Sequence, residues 1–421
     1  MNEASEIAGV GPQSFLTMSR RNLLKGLAGA AATGTMTGAG IAATDMTPFS
    51  YHAPQQALDD LKARLDRTRF PEREPVDDWS QGVPLARLRA LVDYWRRDYD
   101  WRRCEARLDD FDQFKTEIDG LGIHFLHVRS PHADALPMLL THGWPGSVIE
   151  FFKVIGPLTD PTAYGGAATD AFHLVVPSLP GFGFSDKPLE TGWNSARIAR
   201  AWAELMQRLG YRRYVAQGGD WGADVTTKMA QQRAPGLAAI HLNMPLVFPE
   251  EGSGQPLTEE QQRAAAKLQR FQTDGFGYFL LQSTRPQTVG YALTDSPAGL
   301  AAWIYEKFHA WTDNQGSPED AVTVDEMLDN ITLYWLTQTA ASSARIYHEN
   351  EKDGFYGGVV DLPVGVSIFP DEIVPAPRSW ADRVFPNLIH WGELDRGGHF
   401  AAFEEPDLFV EELRTCFRSI R

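Results

Sequence analysis

The stretch VAQGGDWGADV, residues 215–225, decides the fold of this chain. Apolar residues lead into a turn flanked by glycines, and Asp220 lies at the tip of that turn. Gly218, Gly219 and Gly222 permit a sharp turn from a strand into a helix, because glycine tolerates strained dihedral angles and close backbone approach. The pattern is typical of a nucleophile elbow whose nucleophile is a carboxylate. The alternative is that Asp220 only caps the helix that follows.

Short apolar segments lie on both sides of this elbow. We predict strands in MLLTHGW, AFHLVVPSL, RYVAQGG, LAAIHLN, VGVSIFP and NLIHWGE. Most of them are followed by a helical pattern, such as SARIARAWAELMQRLG before Tyr211. Strands that alternate with helices indicate a mostly parallel sheet covered by helices on both faces. The predicted fold class is therefore α/β.

Two regions depart from this alternation. Residues 47–113 are predicted to be a helical lead-in, with amphipathic helices in PQQALDDLKARLDRTRF and PLARLRALVDYWRRDYDW. The next stretch, FKTEIDGLGIHFLHVRS, is predicted to be a β-hairpin. Residues 246–350 are rich in helical patterns and aromatic residues, and we expect them to form a cap over the strand ends. The sheet is then divided between residues 114–245 and 351–421.

The composition excludes several classes of partner. The formal net charge of −16 over 421 residues argues against nucleic acid and against anionic membrane surfaces. The two cysteines, Cys104 and Cys416, allow one disulfide at most and no cysteine-based zinc site. We expect neither a cofactor nor a metal, and we leave a homodimer open.

The first residues, 1–46, are predicted to be a targeting segment. SRRNLLKG places Arg20 and Arg21 before an apolar stretch that glycine and threonine interrupt, so a membrane span is not expected. The segment is similar to a twin-arginine export signal, and the alternative is a disordered basic start. We therefore predict recognition by the twin-arginine export machinery and a periplasmic or secreted location in a bacterium.

An oxyanion site is predicted beside the elbow. Ligands of open α/β sheets bind at the carboxyl ends of the strands. The backbone N–H of Trp221 follows the nucleophile position. THGWPGS, residues 141–147, follows another strand and can offer the Trp144 N–H as a second donor. We predict that the Trp144–Pro145 bond is cis, since this turns the donor inward.

A histidine and an acid are expected at the ends of the last two strands. GGHFAAFEEP places His399 after the last strand, and VGVSIFPDEIVP places Asp371 and Glu372 after the preceding one. A catalytic histidine needs a carboxylate that orients its ring, and both acids qualify by position. Glu393 and Asp395 compete with them, although they lie on the histidine's own connection.

The order nucleophile, acid, histidine, with a cap inserted after the nucleophile, is the chain order of the α/β-hydrolase fold. A carboxylate is a poor nucleophile for acyl transfer but can displace a leaving group at an alkyl carbon and form an alkyl ester. A strained epoxide oxygen or a halide suits such a displacement. His399 would then activate the water that hydrolyses the ester.

The chain resembles epoxide hydrolases of the microsomal and juvenile-hormone type over residues 47–418. The matching motifs are DLKARLDRTRFP, YWRRDYDWR, HGWPGS, GGDWGA, STRPQTVGYALTDSPAGLAAWIYEKF and DRGGHFAAFEEP. The resemblance implies that a small hydrophobic epoxide and water give a vicinal diol. Microsomal relatives begin with a membrane anchor, whereas this chain begins with an export-like signal, so a membrane-bound enzyme is not expected.

The resemblance also implies roles for single residues. Asp220 opens the epoxide, and His399 activates water together with Glu372, with Asp371 as the second choice for the acid. Tyr278 and Tyr347 of the cap bind and protonate the epoxide oxygen. Taken alone, each tyrosine is better interpreted as an aromatic residue of the cap core.

Two other functions compete with this interpretation. A haloalkane or haloacid dehalogenase would share the aspartate elbow, the histidine and the fold, and Trp221 does not discriminate, but the paired tyrosines favour the epoxide. A non-catalytic ligand-binding protein on the same fold is the second alternative, since fold does not determine function.

Overall fold

The computed structural model describes residues 46–248, 256–351 and 358–421. The predicted export signal lies outside the described residues, apart from residue 46. Among the helices of the described part, none combines the length and the apolar character that a bilayer crossing needs.

One nine-stranded sheet forms the centre of the molecule, in the order β1-β2-β3-β5-β4-β6-β7-β8-β9. The contacts β1–β2, β2–β3 and β3–β5 are antiparallel, and all others are parallel. The mostly parallel sheet confirms the predicted α/β class. The strands are β1 (Thr47–Pro48), β2 (Gln113–Ile118), β3 (Leu121–Val128), β4 (Leu136–Thr141), β5 (Phe172–Pro177), β6 (Tyr214–Gly218), β7 (Leu237–Leu242), β8 (Val364–Ile368) and β9 (Leu388–Glu393).

The strands form where the sequence predicts them. The six apolar segments are β4 to β9, and the predicted hairpin is β2–β3. Its turn lies at Asp119 and Gly120, whose φ angles of 51° and 75° are typical of the tight turn that suits twisted hairpin strands. Strand β1 was not predicted, because a two-residue strand has no periodicity to detect.

Between residue 46 and the hairpin, the structure describes the helices α1 (Gln55–Asp66), α2 (Leu85–Arg97) and α3 (Trp101–Asp109). Helix α1 buries Leu58, Leu61 and Leu65, which are its apolar positions at helical spacing. The helix predicted over PLARLRALVDYWRRDYDW is α2, but it ends at Arg97, before the end of that segment, and Trp101 already begins α3. Asp100 separates them, since its carboxylate accepts a hydrogen bond from the Arg102 N–H and caps α3.

Helices of the core pack against the sheet, and a second group of helices lies between β7 and β8. The core helices are α4 (Phe152–Thr159), α5 (Ser195–Arg208) and α6 (Asp220–Gln231), followed after β8 by α13 (Arg378–Val384), α14 (Ala401–Glu404) and α15 (Pro406–Phe417). The cap helices are α7 (Glu259–Arg270), α8 (Gly277–Thr284), α9 (Pro286–Asp295), α10 (Pro297–Trp311), α11 (Val324–Thr337) and α12 (Ala340–Glu351).

The topology places the predicted catalytic residues at one edge of the sheet. Asp220 follows β6, Glu372 follows β8 and His399 follows β9, and these strands are neighbours through β7. Parallel strands end at the same edge, so the three side chains lie near one another. Both cysteines are buried and free, so the single disulfide that the composition allows is not formed.

Candidate active site

The turn after β6 is a strained elbow. Asp220 is the first residue of α6 and has a φ of 48°, in the left-handed region that non-glycine residues rarely adopt. Two glycines make room for it: a Cβ on Gly218 would overlap the carbonyl group of Gly222, and a Cβ on Gly222 would overlap the carbonyl oxygen of Thr141. The packing of the turn against β4 therefore depends on glycine at both positions.

The Asp220 carboxylate points away from its own helix. Gly219 is the N-cap of α6 and no side chain caps the helix, so the capping alternative for Asp220 is wrong. Asp220 Oδ1 instead accepts a hydrogen bond of 2.7 Å from the backbone N–H of Trp144. The loop that carries this donor has a cis bond between Trp144 and Pro145, which confirms the prediction for HGWPGS.

His399 lies between two carboxylates. Its Nε2 is 3.5 Å from Asp220 Oδ2, and its Nδ1 is 2.7 Å from Glu372 Oε1. The side chains of His399 and Glu372 are only 3% and 2% exposed. This is the geometry in which an acid fixes the orientation of a histidine that faces a nucleophile.

The three rival acids lie elsewhere. Asp371 is exposed, although it is the immediate neighbour of Glu372. Glu393 accepts a hydrogen bond from the Trp391 ring N–H, and Asp395 pairs with the adjacent Arg396. The geometry therefore selects Glu372 as the partner of His399.

The two carboxylates stabilise the charged form of the histidine. Burial disfavours a charged imidazole, but the negative charges of Glu372 and Asp220 outweigh burial and hold the pKa of His399 well above its usual value of 6.5. In the free protein His399 is therefore an imidazolium that bridges nucleophile and acid.

Two cap tyrosines face the elbow from the other side. Tyr278 on α8 and Tyr347 on α12 are 6% and 1% exposed, and their ring centroids are 5.8 Å apart. The Trp144 ring stacks on Tyr278 at 5.2 Å, and the Trp221 ring meets Tyr347 edge-on at 4.8 Å. Burial raises the pKa of both tyrosines well above 10, and the charge of Asp220 raises it further. Both phenols are thus protonated and able to donate.

A small cavity adjoins the nucleophile and the histidine. It has a volume of about 20 Å³, and its lining includes Asp220, His399, Glu150 and Gln217. A space of roughly 10–15 Å³ or more can hold one water molecule when polar groups surround it. Desolvation raises the pKa of Glu150 well above its usual range, the charge of Asp220 raises it further, and His399 opposes both effects. The cavity provides a place for one water within reach of both catalytic side chains.

The structure thus brings together five side chains that the sequence predicts and two that it missed. The predicted set is Asp220, Glu372, His399, Tyr278 and Tyr347, and the two tryptophans pack around it. The sequence did not lead us to predict Glu150 or Lys307 as residues of the site. A signal for Lys307 existed, because it stands between Trp303 and Trp311 at steps of four residues on an aromatic helix. For Glu150 the only signal was its place shortly after HGWPGS.

Comparison with known families gives two matches that overlap. The family model described as "Epoxide hydrolase N terminus" matches residues 46–151. The model described as "alpha/beta hydrolase fold" matches residues 137–339. The first match covers the lead-in helices and the loop of Trp144, and the second covers the elbow and most of the cap.

Individual relatives cover almost the whole chain. A protein of Stigmatella aurantiaca (strain DW4/3-1), whose name places it among the epoxide hydrolases, is 67% identical over 376 residues, which are 89% of this chain and 86% of its own. The structure of Aspergillus niger epoxide hydrolase superposes with a TM-score of 0.80 at 34% identity, covering 90% of this chain and 98% of that one. The juvenile hormone epoxide hydrolase of Bombyx mori gives a TM-score of 0.80 at 30% identity, with coverages of 90% and 95%.

Proposed function

The chain belongs to the epoxide hydrolase family, and from that premise we propose that it adds water to an epoxide through a covalent alkyl ester on Asp220. It is a hydrolase that acts on an ether bond, so the dehalogenase and the non-catalytic alternatives are set aside. One observation carries the proposed route. The carboxylate of Asp220 has one oxygen on the Trp144 N–H and the other facing His399, which Glu372 orients in turn.

The first step is displacement at an epoxide carbon. Asp220 Oδ2 attacks, because Oδ1 is already bound to the Trp144 N–H. A C–O bond of the ester forms, the C–O bond of the epoxide breaks, and the released oxygen takes a proton from a cap tyrosine. Tyr278 and Tyr347 support this step. Both residues belong to the cap, and their phenols are buried and protonated.

The second step is hydrolysis of the ester at the carbonyl carbon of Asp220. Water in the cavity beside His399 gives a proton to the imidazole and attacks that carbon. The resulting oxyanion accepts hydrogen bonds from the N–H groups of Trp144 and Trp221. The intermediate collapses: the C–O bond between the carbonyl carbon and the diol breaks, the leaving oxygen takes the remaining proton of the attacking water, and the Asp220 carboxylate returns.

The loss of the negative charge at Asp220 determines when His399 can act as a base. In the free protein the histidine is charged because two carboxylates surround it. Ester formation converts one of them into a neutral group, and this lowers the pKa of the imidazole. The proton that His399 then loses replaces the one that the cap tyrosine gave to the epoxide oxygen, and the neutral imidazole is a base at the stage at which water must be activated.

The substrate class follows from the lining of the site. The aromatic rings of Trp144, Trp221, Tyr278 and Tyr347 pack against one another beside the elbow that carries Asp220. Such a surface suits a small hydrophobic epoxide whose only polar atom is the oxygen that the tyrosines bind. The expectation that the protein needs neither a cofactor nor a metal remains a prediction.

Separation of the two half-reactions tests the covalent route. His399→Ala, mixed with styrene oxide, should stall as an ester, because the carboxylate attacks without the histidine while water lacks its base. Intact-mass spectrometry should find the protein heavier by one substrate molecule, with the modified peptide containing Asp220. Asp220→Ala should form no adduct. Glu372→Ala should accumulate part of it, because its histidine is present but poorly oriented. Wild-type turnover by His399→Ala, or an adduct on another residue, contradicts the route.

We further propose export of the protein by the twin-arginine machinery. Arg20 and Arg21 before an interrupted apolar stretch support this location. Cell fractionation tests it: the double variant Arg20→Lys, Arg21→Lys should remain in the cytoplasm, and a periplasmic variant overturns the proposal. The homodimer stays a prediction.

A further inference from the structure

A lysine interrupts the inward face of cap helix α10. Trp303, Lys307 and Trp311 follow one another at steps of four residues, which places them on the same side of a helix. The Lys307 side chain is only 3% exposed. Lysine is almost never fully buried without a partner, since removing its charge from water is unfavourable. A specific reason for this residue is therefore expected.

Lys307 lies against the rings of the site. Its ammonium nitrogen is 4.4 Å from the ring centre of Tyr278 and 5.5 Å from that of Trp311. Its charged partner is the carboxylate of Glu306, at 2.7 Å. Burial lowers the pKa of Lys307, and Glu306 counteracts this effect and helps to keep the ammonium charged. A cation within about 6 Å of a ring centre is attracted to the ring face, most strongly when water is excluded.

We propose that Lys307 is a positioning residue that holds the Tyr278 ring at the reacting oxygen and makes its phenol a stronger proton donor. The inference rests on the proposed function, in which a cap tyrosine protonates the opened epoxide. It assigns that proton to Tyr278.

The chemistry of the first step explains the effect. When Tyr278 gives its proton to the released oxygen, its O–H bond breaks and the electron pair stays on the phenolate. Part of that negative charge spreads into the ring, whose centre is 4.4 Å from the ammonium of Lys307. The attraction is stronger for a phenolate than for a phenol, so Lys307 favours proton donation. The phenolate regains a proton before hydrolysis from the one that His399 releases once the ester has formed, and the water of the second step restores the imidazolium.

The two tyrosines differ in this respect. Among the described residues, the cation–ring contacts of Lys307 involve Tyr278, Trp303 and Trp311, and none involves Tyr347. Tyr347 has aromatic neighbours instead, with the Trp144 ring edge-on at 5.7 Å. Tyr347 thus binds the epoxide oxygen as a hydrogen-bond donor, while Tyr278 transfers its proton.

A double-mutant cycle tests the assignment. Lys307→Met and Lys307→Arg are made in the wild type and in the Tyr278→Phe variant, with Trp303→Phe as a control that changes packing but keeps the ammonium. Single-turnover experiments with styrene oxide measure ester formation and ester hydrolysis separately. Lys307→Met should slow ester formation by about tenfold to thirtyfold, the effect of a desolvated cation–ring contact. Hydrolysis should change by less than about twofold, because Tyr278 has no role in that step.

Three results complete the expected pattern. Lys307→Arg should restore most of the rate, Trp303→Phe should leave both rates near the wild type, and Lys307→Met should add no further loss to Tyr278→Phe. If Lys307→Met does not fold, Lys307→Gln replaces it as the neutral variant. Equal losses with and without Tyr278, or equal losses in both half-reactions, overturn the inference. If Tyr278→Phe itself forms the ester at the wild-type rate, the assignment of the tyrosine in the proposed function fails instead.

Discussion

The two oxygens of Asp220 have different surroundings, and this difference orients the nucleophile. Oδ1 accepts a hydrogen bond from the Trp144 N–H at 2.7 Å, whereas Oδ2 lies 3.5 Å from His399 Nε2. A carboxylate free to rotate would lose entropy when it attacks, and the fixed oxygen has already removed that freedom. In the proposed route the same Trp144 N–H also binds the oxyanion of the second step, so one donor would serve both half-reactions.

Replacement of the cap tyrosines should slow ester formation alone. Loss of one donor to a developing oxyanion lowers a rate by roughly 10²–10³-fold in comparable sites, and the remaining tyrosine should reduce that loss. Tyr278→Phe should have the larger effect of the two single changes, and the double variant should form almost no ester. Rapid-mixing measurement of the covalent adduct checks this. If all three variants form the ester at the wild-type rate, the tyrosines are only core residues of the cap.

For single residues, the sequence could predict which side chains have suitable chemical groups, but not which neighbours cover them in the fold. Asp220 and His399 follow from the glycine turns around them. Asp371 and Glu372 differ by one position, so only the fold shows that the first is exposed and the second is 2% exposed. Lys307 was missed because a charged residue on a helix usually faces water, and the pattern does not reveal which neighbours cover it.

At the scale of elements, the lead-in helices are fastened to cap helix α11. The Trp95 ring N–H donates to Thr332 Oγ1 at 2.9 Å, and the Tyr99 hydroxyl donates to Asp329 Oδ1 at 2.7 Å. Arg103 of α3 reaches the same helix and binds Asp325 at 2.6 Å. The lead-in therefore supports the cap through α11.

Asp329 should make this contact sensitive to pH. Burial raises its pKa from 3.8 to about 6, although Tyr99 and Arg103 lower it. Because the folded pKa exceeds the unfolded one, the contribution to stability is complete only below about pH 3.8 and is lost as the pH rises through 6. Asp329→Asn keeps the acceptor for Tyr99 without this loss. Its free energy of unfolding, relative to the wild type, should therefore increase by up to about 3 kcal/mol between pH 4 and pH 7 in denaturant titrations.

Asp325 provides the matched control, one turn away on the same helix. The hydrogen bond from Arg103 lowers its pKa below 3.8, so its contribution is present above that pH and is lost as the pH falls. Asp325→Asn should therefore be less stable than the wild type at pH 7, and the deficit should narrow under acid conditions. If the free energy of unfolding has the same pH dependence in Asp329→Asn and in the wild type, the Asp329 carboxylate of the wild type does not titrate near pH 6.

Prediction of the elements succeeded where burial imposes a pattern. Strands β4 to β8 are short, mostly apolar runs, because a parallel strand covered on both faces favours apolar residues, whereas β9 at the edge of the sheet is only partly buried. The division between α2 and α3 was missed, since the apolar pattern continues across it and the Asp100 cap interrupts only the backbone. Local capping thus overrode periodicity at that point.

At the scale of the whole molecule, cap and core share the loop that carries the oxyanion donor. Asn330 of α11 donates to the Pro145 carbonyl at 2.7 Å and accepts from Ser147 Oγ at 2.8 Å. Tyr334, one turn further, donates to the Gly146 carbonyl at 2.9 Å. These bonds are buried and join residues more than 180 positions apart, so no local pattern could predict them. The position of the Trp144 N–H therefore depends on the docking of the cap.

Removal of the Asn330 side chain should change the reaction rates, because Asn330 holds the loop that carries the Trp144 N–H. Asn330→Ala leaves the buried Pro145 carbonyl without its donor, at about 1–3 kcal/mol of stability, and removes the acceptor of the Ser147 hydroxyl, whose oxygen still accepts from the Ile149 N–H. The loop can then shift, and a misplaced Trp144 N–H stabilises the oxyanion less well. Both half-reactions should slow, and ester hydrolysis should slow more, by roughly tenfold or greater, because the full oxyanion forms only there. Single-turnover rates and denaturant unfolding measure the two effects separately.

Tyr334→Phe is the graded control for this argument, since it removes one of the three bonds to the loop and leaves the Asn330 pair in place. It should lose less stability than Asn330→Ala and retain most of the hydrolysis rate. A variant series in which hydrolysis falls in step with the loss of loop bonds supports coupling between cap docking and the oxyanion donor. If Asn330→Ala is destabilised but hydrolyses the ester at the wild-type rate, the core alone fixes Trp144, and α11 contributes only to stability.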